Sequence, residues 1–223
     1  MSTMGVMPTP DCCMAPMPGQ SWLGALTSFV GMWVLMMVPM MLPSLIPMLG
    51  RYRRAVGPEG GASLGPPTVV VGLGYFLVWT VVGAILYPLG AALAALEARE
   101  PVVAGAVPIA AGAVVVIAGF VQISAWKARH VACCRDVPVS GGAGAGDALS
   151  HGVRLGLHCL RCCGNLMAIS VAVGMMDLRW MALVTAAITV ERVAPDGERL
   201  ARAIGAAVIV AGVVLIARAA GLS

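Results

Sequence analysis

The sequence predicts an all-α fold: a polytopic membrane helical bundle of about six transmembrane helices. Three observations predict it. First, 60% of the 223 residues are hydrophobic and only 11% are charged, against about 25% charged in an ordinary soluble domain. Second, apolar runs recur along the chain between short polar corners, and crossing a bilayer takes about 20 such residues. Third, most basic residues gather in three corners, 50–67, 126–154 and 191–202, and none precedes Arg51. Six spans put these three corners on one side. Lys and Arg mark the cytoplasmic side, so the bundle is expected in a bacterial cytoplasmic (inner) membrane with both termini exoplasmic. The lipid bilayer is the expected surrounding. Nucleic acid is not an expected partner, because the net charge of +4 lies in short loops and not on a solvated basic patch.

The chain divides into a flexible Met/Cys/Pro-rich exoplasmic tail, 1–21, and a six-helix membrane domain, 22–223. The tail has no positive leading segment, and Pro breaks its apolar character, so it does not read as a secretory signal. Its sulfur, at Met1, Met4, Met7, Cys12, Cys13, Met14 and Met17, is either incidental or a metal-capturing arm. The first span runs from Trp22 to Leu49. Met36 and Met40 stand four residues apart, as do Met37 and Met41, so these methionines either line a thioether path or fill a packing helix. Pro39, Pro43 and Pro47 repeat at the same interval. Each removes a backbone donor and crowds the preceding turn, so the second half of this helix is expected to kink or partly unwind.

Val69 to Leu96 is the second span, with Tyr75, Trp79 and Tyr87 as packing or interface aromatics. Glu97, Arg99 and Glu100 form a corner, and Val102 to Ala125 is the third span. If the third helix continues past Ala125, His130 and Cys134, four residues apart, bring an imidazole and a thiol to one side of its end. The fourth span is Gly152 to Gly174, the fifth Leu178 to Val193 and the sixth Ala201 to Ala217.

The hairpin from His151 to Arg192 carries the chemistry. On a helix Cys159, Cys163 and Met167 share a face, and His158 and Cys162 share an adjacent one. Seven cysteines is an odd number, and six of them form adjacent pairs, a geometry that rarely bridges. Metal binding or a redox role fits better than a disulfide scaffold. Soft sulfur beside imidazole suits Cu(I) or Zn(II) rather than Mg or Ca. Arg161 inside an apolar run costs about 3 kcal/mol or more at a span centre. It is expected to snorkel to the cytoplasmic face or to pair with Glu191 or Asp177, and a cation beside thiols favours thiolate. Glu191 reads as an interface anchor, as the partner of Arg161 or as a ligand. No P-loop and no HExxH motif occurs, and three histidines are too few for a haem-copper centre.

Three segments resemble one family. Its pattern W..M..AMM.P...P is met by Trp33, Met36, Met40, Met41, Pro43 and Pro47, with Pro39 in place of Ala. Its K..CL..CR is met by Lys127, Val131, Cys134 and Arg135, with His130 at the first Cys. Its central hairpin is met by Gly156, Cys159, Cys162, Cys163, Leu166, Met167, Gly174, Met176, Leu178, Trp180, Met181, Glu191 and Arg192. Arg161 replaces a Gly there, Gly164 a Trp and Asp177 an Asn. The chain thus resembles the bacterial family of predicted metal-binding integral membrane proteins, a domain of unknown function whose members often accompany copper-handling proteins.

The resemblance implies copper. The expectation is a non-enzymatic membrane protein that binds Cu(I), with zinc as the second choice, and passes it across or at the membrane. Cys159, Cys162 and Cys163, with His158, Met167, His130 or Cys134, would form the tighter site. Met36, Met37, Met40 and Met41 would make weaker contacts, and Arg161, Glu191 and Asp177 would support them. Other membrane subunits or a copper chaperone are the expected protein partners. Two alternatives stay open: an accessory subunit or assembly factor of a larger membrane complex, and a thiol oxidoreductase.

Overall fold

Six long helices follow the six apolar runs: α1 Trp22–Val56, α2 Pro66–Arg99, α3 Pro101–Ile123, α4 Ala145–Val173, α5 Leu178–Val193 and α6 Gly197–Ala219. The structure is a computed structural model and describes residues 21–56, 65–129, 144–174, 177–194 and 196–221. The sulfur-rich tail, His130, Cys133, Cys134 and Met176 lie outside the described residues. Helices α1, α2, α3, α4 and α6 are long and apolar enough to cross a membrane. Helix α5 has 16 residues; at 1.5 Å per residue it rises about 24 Å, a little less than the ~30 Å hydrocarbon layer.

Helix α1 corrects one expectation. It is helical from Trp22 to Val56, with Pro39, Pro43 and Pro47 inside it, so its second half does not unwind. The four-residue spacing explains this. All three prolines fall on the exposed face, beside Leu35 and Ile46. The opposite face buries Phe29, Trp33, Met37, Met41, Leu45 and Tyr52. The missing donors are confined to one outer stripe, and the packed stripe keeps its hydrogen-bonded backbone.

Two close helix contacts set the frame. A Cβ on Gly152 of α4 would lie 2.2 Å from the carbonyl oxygen of Val71, and one on Gly74 of α2 would lie 2.6 Å from that of Leu149. Helices α3 and α6 meet in the same way, with Gly119 and Gly205 against each other's backbone. Lipid tails give helices no hydrophobic reason to associate, so small residues that let backbones touch carry much of the packing. The outward faces remain apolar, with Leu35, Leu73, Ile117 and Val210 among the exposed side chains.

Trp33 anchors α1 to α2 by donating its Nε1–H to the carbonyl of Trp79 at 2.8 Å. At the other end of α3, Ser124 breaks the helix with an extended backbone, φ −71° and ψ 151°. Its hydroxyl then accepts from the amide of Lys127 at 3.2 Å, capping the next helical turn. This turn carries Lys127 into the interior, where it is fully buried.

Candidate metal centre

A band of sulfur forms where the inner faces of α1 and α4 meet. Cys159, Cys162 and Cys163 are all free thiols, and each is 1% exposed. The Cys159 thiol donates to the Met41 thioether, Sγ to Sδ at 3.9 Å. The Tyr75 hydroxyl, from α2, donates to Cys159 Sγ at 2.9 Å. Cys163 stands one helical turn from Cys159 on the same buried face of α4. Arg192, from α5, closes the group: its Nη2 donates to Cys163 Sγ at 3.3 Å, and its Nη1 approaches Met48 Sδ at 3.9 Å. The four-residue spacing of Cys159 and Cys163 thus does what a shared helix face predicts. It faces the Met41 thioether on α1, and Met48 lies beyond it against Arg192.

A polar network lies directly behind the thiols. Lys127 Nζ forms an ion pair with Glu191 Oε2 at 3.3 Å. The same ammonium donates to the Cys162 carbonyl at 2.5 Å and to Asn165 Oδ1 at 3.2 Å. Gln122 donates to Glu191 Oε1 and accepts from Asn165 Nδ2. Asn165 Nδ2 also donates to the Ala118 carbonyl at 3.3 Å. Buried charge is tolerated only when paired and hydrogen-bonded, and here each end of the pair has several partners. The network joins the end of α3 to α4 and α5 at the level of the cysteines.

Several expectations change. Arg161 is exposed, and the partner of Glu191 is Lys127. The guanidinium at the thiols belongs to Arg192. The reason is helical phase: residue 161 stands two positions from both Cys159 and Cys163, which on a helix is the opposite side. Asp177 is exposed and caps α5, accepting from the Arg179 amide at 2.8 Å. Met37, Met40 and Met41 are buried, whereas Met36 is partly exposed. His158 is also partly exposed. Met167 is buried and, with Trp33, Trp79 and Gly164, lines an apolar cavity of about 460 Å³. Gly164, which stands where the resembling family has Trp, puts no side chain into that space. His130 and Cys134 lie outside the described residues.

Among the described residues, no group of three His, Cys, Asp or Glu side chains is placed to hold a metal ion. The convergent donors are mixed: thiols from α4 and thioethers from α1. Such a set suits a soft cation. Sequence reasoning missed Met48, Tyr75, Gln122 and Asn165 and passed over the roles of Lys127 and Arg192. One signal was available: Gln122 and Asn165 are the two carboxamides within the apolar spans, and an amide there needs a partner.

No curated protein and no solved structure matches the chain. Residues 30–215, from within α1 to within α6, match the family described as PpoB2, copper chaperone. This stretch holds every residue of the sulfur band and of the polar network, and a chaperone carries its metal without transforming a substrate. The chain belongs to the PpoB2 copper chaperone family.

Proposed function

We propose that this copper-handling membrane protein carries its metal as Cu(I), held between α1 and α4 by Cys159, Cys163 and Met41. The observation that supports this most is the approach of Cys159 Sγ to Met41 Sδ, at 3.9 Å, with Cys163 one turn away. Cu(I) is satisfied by two or three soft ligands, and thiols with a thioether supply them. Zinc fits less well, because a closed zinc site takes four ligands, usually Cys and His. Cys162 acts mainly through its backbone, since its carbonyl is held by Lys127. Arg192 supplies the cation that favours thiolate at Cys163.

In this reading copper moves along one inner face. Met37 and Met40 lead to the Met41–Cys159 contact, and Met48 continues from it on α1. The Met/Cys tail captures copper on the exoplasmic side of the inner membrane. A soluble copper chaperone or another membrane subunit exchanges it on the basic, cytoplasmic side.

Two experiments test this. Purified, reduced protein is expected to hold one Cu(I) against a moderate chelator, and Cys159→Ser with Cys163→Ser is expected to lose it. Full retention by the double variant would reject the assignment. For orientation, a membrane-impermeant thiol reagent is expected to label Cys12 and Cys13 on intact cells, and Cys133 and Cys134 only after permeabilisation. The reverse pattern would overturn the direction of transfer.

A further inference from the structure

We propose that Arg192 sets the charge of the cargo: its fixed positive charge beside the thiols lets the site hold a monovalent soft cation and turns away a divalent one. The inference rests on the reading of Cys159, Cys163 and Met41 as the Cu(I) site and adds to it a selection by charge. Helix α5 buries Val184, Ile188, Glu191 and Arg192, positions that share one face of a helix. Two opposite charges are thus carried into the bundle side by side, and their partners differ. Glu191 pairs with Lys127 at 3.3 Å, so these two charges cancel. Arg192 reaches sulfur instead, Cys163 Sγ at 3.3 Å and Met48 Sδ at 3.9 Å, and its Nε has no hydrogen-bond partner. Among the described residues no carboxylate forms an ion pair with Arg192. A buried charge without a counter-charge is costly, so this guanidinium calls for an anion.

The metal ligands supply it. A thiol binds metal as thiolate, so Cys159 and Cys163 both become negative in the loaded site. Arg192 cancels one of these charges. A monovalent cation cancels the other and leaves the buried site neutral. A divalent cation leaves one positive charge over, which a low dielectric makes costly. Without Arg192 the balance reverses: a monovalent ion leaves a negative charge and a divalent ion leaves none. Soft donors alone do not make this distinction, because they select by ligand type. Arg192 suits the role, since a guanidinium stays protonated in a protein and its planar fork reaches α1 and α4 at once. Cys162, whose carbonyl is held by Lys127, is the thiol outside this count; as a third thiolate it would balance a divalent ion.

The test compares Ag(I) with Cd(II), two soft ions of the same electron configuration that differ in charge. It uses the purified, reduced full chain in detergent with Cys12, Cys13, Cys133 and Cys134 replaced by Ser, which leaves Cys159, Cys162 and Cys163 as the only thiols. This chain is expected to bind Ag(I) tightly and Cd(II) weakly. Arg192→Gln keeps a donor beside Cys163 and removes the charge; it is expected to bind Ag(I) about tenfold more weakly and Cd(II) about tenfold more tightly. Arg192→Leu, a second neutral variant should the first not fold, is expected to shift the two ions in the same opposite directions. Arg192→Lys keeps the charge and is expected to keep the original preference. A merely structural role would weaken both ions together. If both weaken in the neutral variants, or if Cd(II) already binds the chain with Arg192 as tightly as Ag(I), selection by Arg192 is rejected while the core stands. Cys159→Ser with Cys163→Ser reports separately on the core and is expected to lose Ag(I); if it keeps Ag(I), the core reading fails.

Discussion

Replacing Lys127 by Met tests whether the buried ion pair holds the candidate metal centre together. Lys127 is fully buried and gives its ammonium to Glu191, to the Cys162 carbonyl and to Asn165. In Lys127→Met the Glu191 carboxylate, 1% exposed, keeps the Gln122 donor but loses its cation. Removing one partner of a buried pair costs about 3–5 kcal/mol. For a chain of this size each kcal/mol shifts Tm by about 2–4 °C, so a fall of roughly 6–20 °C is expected. The assay follows directly from the structure. Cys159, Cys162 and Cys163 are buried, so once Cys12, Cys13, Cys133 and Cys134 are replaced by Ser in the background, a thiol-reactive dye reports thermal unfolding in detergent. Lys127→Met with Glu191→Leu removes both charges and is expected to recover most of the loss, because buried pairs exchange for apolar residues at little cost. A single variant melting within about 2 °C of wild type would refute the reasoning.

Gly152→Leu is expected to abolish the folded bundle, since even a Cβ there meets the Val71 carbonyl at 2.2 Å, whereas Gly72→Ala, with nothing within 4 Å, should raise Tm; gel filtration and dye melting distinguish them. Met41→Leu should weaken Cu(I) binding in a chelator competition with the fold intact, and Met36→Leu should affect it less, because Met41 touches the Cys159 thiol and Met36 is partly exposed. Arg161→Ala should leave Cu(I) affinity unchanged, while Arg192→Ala should weaken it about tenfold, equivalent to roughly 1.4 kcal/mol; equal effects would return the thiol-facing role to neither residue.

Much of the fold is legible in the sequence because a membrane span is a long, one-dimensional signal. All six apolar runs became helices; Glu100 separates α2 from α3 and Asp196 lies between α5 and α6, while Glu97 and Arg99 of the polar corner belong to the last turn of α2. The helix faces were legible too. Cys159 and Cys163 share a face on α4, and Met37 and Met41 share one on α1. What the sequence does not carry is the partner each face meets. Arg161 stands two residues from Cys159 and Cys163 and Arg192 stands 29 residues beyond Cys163, yet the phase of α4 and the return of α5 decide that Arg192 reaches Cys163. Lys127 lies beyond the end of α3, and its burial depends on the break at Ser124. The prolines of α1 do not unwind the helix. In register on a single outer face, they leave the inner face helical.

X-ray absorption at the copper edge, on the Cu(I)-loaded protein at one equivalent, tests the central claim most directly. The account predicts a sulfur-dominated coordination sphere in the wild type, with sulfur lost in Met41→Leu and the bound copper itself lost in Cys159→Ser with Cys163→Ser. A sphere dominated by nitrogen or oxygen, or a sulfur sphere unchanged in the double Cys variant, would contradict it and make the α1–α4 contact a packing element.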